Sequence, residues 1–119
     1  MSLDIYLTEH PRCPTCGYTN TKVSTFSHSQ NITHNLGVMA DEAGIYEALW
    51  HPHEAGIEIA QQLIPLLSEA IKQMKNDPKR FEKFNSANGW GLYKHFLPFL
   101  EELLEVCIQH PTCEVESST

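Results

Sequence analysis

The spacing of the apolar residues changes along this chain, and that change limits the folds it can adopt. Near the start, Leu3, Ile5 and Leu7 alternate with other residues, and a period of two predicts a strand with one buried face. Residues 23–32 are rich in β-branched and aromatic side chains without a helical period, which predicts a second strand. Together the two strands predict a hairpin with a long polar tip.

From residue 33 onward the sequence predicts short helices separated by turns. Thr33 can cap a first helix, and Gly44 is placed to end it. Residues 45–50 predict another helical turn before His51-Pro52, because the residue before a proline avoids the helical region. Asp77-Pro78 joins a capping residue to a favoured first helical residue, and this pair predicts a further brief helix.

Two longer amphipathic helices complete the predicted fold. Apolar residues recur every third or fourth position in residues 54–74 and again in 92–107, which places each set on one helix face. Pro65 and Pro98 lie inside these stripes, and we expect them to kink or split the helices. Residues 113–116 predict a short third strand before a frayed tail. The fold class predicted is α+β, a small antiparallel sheet packed against three to four helices.

The length of the chain predicts a single domain. A chain of 119 residues can remove roughly two-thirds of its unfolded surface from water without a disulfide framework. Within residues 1–119 we distinguish a hairpin (1–32), a helical part (33–110) and a short strand with its tail (111–119).

Charge and composition exclude some classes of partner. Fifteen acidic residues against eight basic ones give a formal charge of −7, which repels phosphate backbones and argues against nucleic-acid binding. No apolar stretch approaches the roughly 20 residues that a bilayer requires, so no membrane partner is expected. Four cysteines without the dense spacing of small secreted domains favour a reducing, cytoplasmic location.

The run Cys13-Pro14-Thr15-Cys16-Gly17 places two thiols in one tight turn. Thiolates at this spacing form half of a tetrahedral zinc site, and the glycine tolerates the backbone conformation that the turn requires. A complete site requires two more ligands from His10, His28, His34, His110, Cys107 or Cys113. The spacing to His28 and His34 is close to that of a two-Cys, two-His finger. We therefore predict zinc as the cofactor, with Cys13, Cys16, His28 and His34 as the metal ligands.

The thiol pair allows two other interpretations. A nucleic-acid-binding finger places both histidines on a helix, whereas residues 23–32 here predict a strand and a basic surface is absent. A glutaredoxin-like redox site needs a helix that starts at the first cysteine and lowers its pKa. Turn residues follow Cys16 instead. The dithiol redox protein is kept as an alternative.

The junction between the second strand and the first helix is the predicted binding pocket. Asn31, Thr33, His34 and Asn35 lie where a helix N-terminus presents free N–H groups. The plainer alternative is that Thr33 caps the helix while the asparagine side chains bond to the turn. Two tryptophans next to turns are added to the predicted pocket, with core packing as their alternative. They are Trp50 and Trp90.

The same junction carries a resemblance to known proteins. Asn31-Ile32-Thr33-His34-Asn35-Leu36, followed by Met39-Ala40, Ala43-Gly44-Ile45-Tyr46 and Leu49-Trp50, resembles a family of small uncharacterised phage and prophage proteins. The resemblance implies that the thiol pair is an optional brace of the hairpin. It implies a phage setting and no particular activity.

The functional hypothesis is a small cytoplasmic, metal-braced binding protein of phage or prophage type. Such a protein would inhibit a host protein by binding and would not turn over a substrate, a step that rests on analogy. The alternative from a different class is a metal-dependent hydrolase in which His34 helps to hold a water-activating metal.

Overall fold

The computed structural model describes residues 2–11, 13–20, 23–85, 89 and 92–119, without the side chain of His34. Within these residues the chain forms a three-stranded antiparallel sheet and five α-helices. The predicted α+β fold class is confirmed.

The sheet has the order β2-β1-β3, so the first strand of the chain lies in its centre. The strands are β1 (Ser2–Glu9), β2 (Phe26–Thr33) and β3 (Glu114–Ser118). The apolar positions of β1 that alternate in the sequence are fully buried, as the period of two predicts. The predicted third strand is present and pairs with β1 from Thr8↔Glu114 to Asp4↔Ser118.

Five α-helices follow the hairpin. They are α1 (Gly37–Glu42), α2 (Tyr46–Trp50), α3 (Ala60–Asn76), α4 (Pro78–Glu82) and α5 (Tyr93–Gln109). A single 3-10 turn, His34–Leu36, leads from β2 into α1. The Thr33 hydroxyl accepts a hydrogen bond from the Asn35 N–H at 3.5 Å, and Gly44 ends this region with a φ of 77°. Gly44 therefore ends the region where the sequence predicts a stop. Thr33 lies directly before the 3-10 turn, whereas the N-cap residue of α1 is Leu36 and has no side-chain cap.

The start of α3 differs from the prediction. A helix from residue 54 was wrong, because the backbone of Ile59 is extended (φ −125°, ψ 158°) and α3 begins at Ala60. The Gln62 side chain accepts a hydrogen bond from the Ile59 N–H at 3.0 Å, which is half of a capping box. The Ala60 N–H donates to the Cys113 carbonyl at 2.8 Å. Contacts with the C-terminal segment therefore help to fix where this helix begins.

The prolines inside the long helices do not split them. Pro65 lies within the continuous α3 and Pro98 within the continuous α5. Each proline removes one backbone hydrogen bond to the residue four positions earlier. Both prolines are on exposed faces, where water can reach the carbonyl that loses its partner.

The core lies between the helices and one face of the sheet. α3 and α5 pack against each other through fully buried leucines such as Leu63 and Leu103.

The predicted frayed tail was wrong for Ser117 and Ser118, since both belong to β3. The Ser117 hydroxyl donates to the Trp50 carbonyl at 3.1 Å, which joins the end of the sheet to α2.

Candidate functional site

A groove of about 580 Å³ lies between strand β2 and helix α5. One wall consists of five consecutive strand residues, 29–33. The opposite wall is formed by His95, Pro98, Phe99 and Glu102, whose spacing of three and four places them on one face of α5. Leu36 and Gly89 complete the lining.

The groove runs beside an edge of the sheet. β2 pairs with β1 along its whole length, from Glu9↔Phe26 to Ser2↔Thr33. Among the described residues, no strand pairs with the other side of β2. Alternate N–H and C=O groups of an edge strand point away from the sheet. The groove therefore contains a row of backbone donors and acceptors.

A buried glutamine forms the floor of this groove. Gln30 is only 8% exposed, and its Nε2 donates to the backbone carbonyl of Phe99 at 3.1 Å. Its Oε1 lies 2.8 Å from Nε2 of His28. The bond to Phe99 joins β2 to α5. Breaking it would leave a buried amide group without its hydrogen-bond partner, which costs free energy, so the bond helps to hold the two elements together.

The predicted binding residues fall into separate places. Asn31 and Thr33 line the groove, and the Asn31 Nδ2 donates to Oδ1 of Asp4 at 2.6 Å. Asn35 lines a different concavity, with Val38, Asp41 and Tyr46 among its other residues. The structure thus brings Asn31 and Thr33 together and places Asn35 elsewhere.

The two predicted tryptophans are not part of the described groove lining. Trp50 is 3% exposed, and its ring stacks on Tyr46 with centroids 4.9 Å apart. This is the core packing that was the alternative for Trp50. Trp90 lies outside the described residues, and of His34 only the backbone is described, in the turn after β2.

The two walls of the groove differ in charge. Residues 10–40 contain no Asp or Glu, although the chain has fifteen of them. The β2 wall therefore carries no acidic side chain. Among the described lining residues, Glu102 on α5 is the one with a formal charge. A cationic group in the groove would meet this carboxylate.

The thiol pair lies in a tight turn at the tip of the hairpin. The Gly17 N–H donates to the Cys13 carbonyl at 2.9 Å, and the Cys13 N–H donates to the Tyr18 carbonyl at 2.7 Å. Gly17 has a φ of 76°, a conformation that favours glycine. These bonds fix the backbone of the turn around both cysteines.

Hydrogen bonding within this turn affects the Cys13 thiol. The pKa of this thiol is lowered, first by the backbone N–H of Cys16, then by that of Thr15 and by the Cys16 side chain. Donors that point at a sulfur stabilise its thiolate form. No helix begins at Cys13, so the arrangement differs from the glutaredoxin-like design.

The four predicted metal ligands are not brought together. His28 lies within β2 opposite Leu7 and is bonded to Gln30. His34 follows Thr33, at the end of the hairpin farther from the thiols. The paired part of the hairpin is eight residues long, so its two ends lie about 23 Å apart along the extended strands. Cys13 and Cys16 are the adjacent members of the predicted set.

The other candidate ligands are engaged elsewhere. His10 lies with Nδ1 2.8 Å from the Val23 carbonyl and Nε2 3.6 Å from a Glu114 carboxylate oxygen. His110 stacks on Phe26 with ring centroids 3.7 Å apart. Over the described part of the chain, no group of three or more His, Cys, Asp and Glu residues is arranged to hold a metal ion.

The two remaining cysteines are buried. Burial raises the pKa of Cys107 to about 12, and the nearby Cys113 adds to the shift. Burial also raises the pKa of Cys113 to about 11, helped by the charge of Glu9 and a hydrogen bond to it. Both thiols are therefore protonated at neutral pH, which makes them poor metal ligands and poor nucleophiles.

Comparisons with known proteins add no relative. No family model, curated protein or solved structure matches this chain. Of the helices in the described residues, none has the length and apolar character needed to cross a bilayer.

Proposed function

We propose that this protein acts by binding an extended segment of a partner protein in the groove between β2 and α5. The segment adds as a fourth strand beside β2, and its side chains contact α5. The observation that supports this proposal is that residues 29–33 of an edge strand line the groove continuously. Strand addition of this kind derives affinity from main-chain hydrogen bonds and specificity from alternate side chains.

The dimensions of the groove suit a short segment. Five strand residues extend for about 17 Å, the length of an average strand. An added strand has one set of side chains directed toward the helical layer, because side chains alternate between the faces of a sheet. Phe99 and Pro98 offer those side chains an apolar surface, and His95 and Glu102 offer polar contacts.

Charge favours a basic segment. The chain has a formal charge of −7, which accelerates encounter with cationic partners and slows encounter with anionic ones. In the groove itself, Glu102 supplies a carboxylate for a lysine or arginine of the segment. We therefore expect a bound segment to carry at least one basic residue.

The phage setting implied by the sequence resemblance gives this binding a biological purpose. In that setting the partner is a host protein, and the captured segment is withheld from its normal contacts. The protein then acts as an inhibitor by occupancy and requires no catalytic residue.

Selection from a random peptide display library tests the proposal. We expect the selected peptides to be extended and basic. They should perturb the amide NMR signals of residues 29–33 and of the α5 wall. N-methylation at one alternate set of peptide residues should abolish binding and at the other set should be tolerated, because only one set pairs with β2.

A matched pair of variants tests the charge argument. Glu102→Lys reverses the charge in the groove, and Glu105→Lys makes the same change on α5 at a residue that does not line it. We expect the first to weaken peptide binding by about tenfold, because the variant replaces an attractive charge contact with a repulsive one. The second should leave binding within about twofold. Selected peptides that perturb only other surfaces, or equal effects of the two variants, would contradict the proposal.

A further inference from the structure

The turn at the tip of the hairpin contains two side chains of a type that zinc takes as ligands. Cys13 and Cys16 lie close together in this turn, and its backbone is fixed by the hydrogen bonds from the Gly17 N–H to the Cys13 carbonyl and from the Cys13 N–H to the Tyr18 carbonyl. Zinc in structural sites takes four ligands in a tetrahedron, with sulfur at about 2.3 Å. A tetrahedral zinc site built on this turn would therefore need two ligands from elsewhere.

Over the part of the chain that the structure describes, no further ligand lies beside the two thiols. In the described ranges no third His, Cys, Asp or Glu joins the two thiols in a possible metal group. The residues outside the description contain none of these four types, and His34 follows the strand end far from the tip. His10, the nearest histidine along the chain, is bonded to the Val23 carbonyl and lies beside Glu114 at the base of the loop.

The surface around the turn is suited to contact with another molecule. Cys16 is exposed, and so are two large apolar side chains of the same loop, Tyr18 (67%) and Val23 (51%). A second molecule that met this tip would cover them.

Charge also favours a shared site. Four thiolates around one zinc ion carry two negative charges in excess of the metal. Residues 10–25 contain Arg12 and Lys22 and no acidic residue, in a chain whose overall charge is −7. The loop sequences of two copies therefore carry four formal positive charges, opposite in sign to a centre of four thiolates and one zinc ion.

From these observations we infer that two copies of this chain share one zinc ion, held by Cys13 and Cys16 of each copy. Each thiol releases its proton to solvent as it binds the metal, so the site forms as four thiolates around one Zn²⁺. The two hairpin tips meet at the ion, and the grooves beside β2 remain open in both copies. The inference is independent of the proposed peptide binding, because the tip and the groove have no lining residue in common.

Zinc content and mass in solution test the inference. The protein is purified under reducing conditions without chelator, and zinc is then added. We expect about 0.5 zinc per chain, a dimer by light scattering, and a shell of four sulfurs at about 2.3 Å by X-ray absorption. Chelation should return the protein to a folded monomer.

Variants of the turn separate the thiols from the rest of the loop. Cys13→Ser and Cys16→Ser should lose zinc and remain monomeric, whereas Thr15→Ala, in the same turn, should keep both zinc and the dimer. Circular dichroism verifies that all three are folded. One zinc per chain in a monomer, a folded reduced protein that retains no zinc, or a dimer that survives both cysteine changes would each overturn the inference. Peptide binding in the groove is expected to be unchanged in all three variants.

Discussion

The side-chain amide of Gln30 donates a hydrogen bond to the backbone carbonyl of Phe99 at 3.1 Å, across the space between β2 and α5. The two residues belong to elements far apart in sequence, and together they form the floor of the groove. The same amide contacts the His28 ring through its oxygen at 2.8 Å. The Gln30 side chain therefore joins the two walls of the groove at its floor.

Replacement of this side chain should destabilise the fold. Gln30→Ala removes the buried hydrogen bonds, and we expect the free energy of unfolding to fall by about 1–3 kcal/mol. Urea denaturation followed by circular dichroism measures the change. Gln61→Ala, at an exposed position of α3, is the control and should change stability by less than about 0.5 kcal/mol. Equal effects at the two positions would show that the Gln30 contacts contribute little.

Two adjacent leucines of α3 should differ strongly in their contribution to stability. Leu67 is fully buried, whereas Leu66 is 38% exposed. Leu67→Ala leaves a cavity between the helices and should cost about 2–5 kcal/mol. Leu66→Ala removes the same atoms from a partly solvated site and should cost less than about 1 kcal/mol. Denaturant midpoints of the two variants check the difference, and a reversed order would contradict the burial of Leu67 and the exposure of Leu66.

The four cysteines should fall into two classes of reactivity. Cys16 is exposed and the pKa of Cys13 is lowered, whereas the raised pKa values of Cys107 and Cys113 keep those buried thiols protonated. With chelator present at neutral pH, iodoacetamide should label the first pair rapidly and the second pair only after unfolding. Mass spectrometry of digested samples identifies the labelled residues. Early labelling of Cys107 would contradict its burial.

The buried thiols also predict how stability varies with pH. Their pKa values are raised from about 9 to about 12 for Cys107 and about 11 for Cys113, so the folded chain holds these protons more tightly than the unfolded chain. Their stabilising contribution is therefore complete below pH 9 and is lost as the pH rises through the folded values. We expect the free energy of unfolding to fall above pH 9.

A variant separates this contribution from that of other groups that ionise at high pH. Cys113→Ala removes a thiol that faces Glu9, and its stability should decline less steeply above pH 9 than that of the parent chain. Thr15→Ala, which removes no ionisable group, should leave the slope unchanged. Parallel slopes for all three proteins would exclude the thiols as the cause.

Local sequence patterns predicted much of the fold. The alternation in β1 and the helical stripes of α3 and α5 are properties of short segments, and burial of one face follows from them directly. The start of α3 could not be predicted in this way, because carbonyls of the distant segment before β3 accept hydrogen bonds from its first N–H groups. Tertiary contacts of this kind leave no local signal.

Local patterns predicted one wall of the groove and missed the other, because tertiary contacts bring the two walls together. Asn31 and Thr33 were predicted from their position at a strand end, and they line the groove. The α5 wall was missed, although His95, Phe99 and Glu102 recur at helical spacing, because nothing in that stretch indicates which strand it faces. The pairing of His28 and His34 with the thiols was inferred from spacing along the chain, and strand register then separated them.

The central place of β1 in the sheet has a consequence for how this chain folds. β1 can pair with β2 as soon as the hairpin has been synthesised, but its other edge waits for β3, at the far end of the sequence. Contacts between such distant residues are slow to form, because a long loop must close first. Until then β1 exposes unpaired backbone groups that attract other nascent strands. Completion of the sheet is thus the step at which premature aggregation competes most directly with folding.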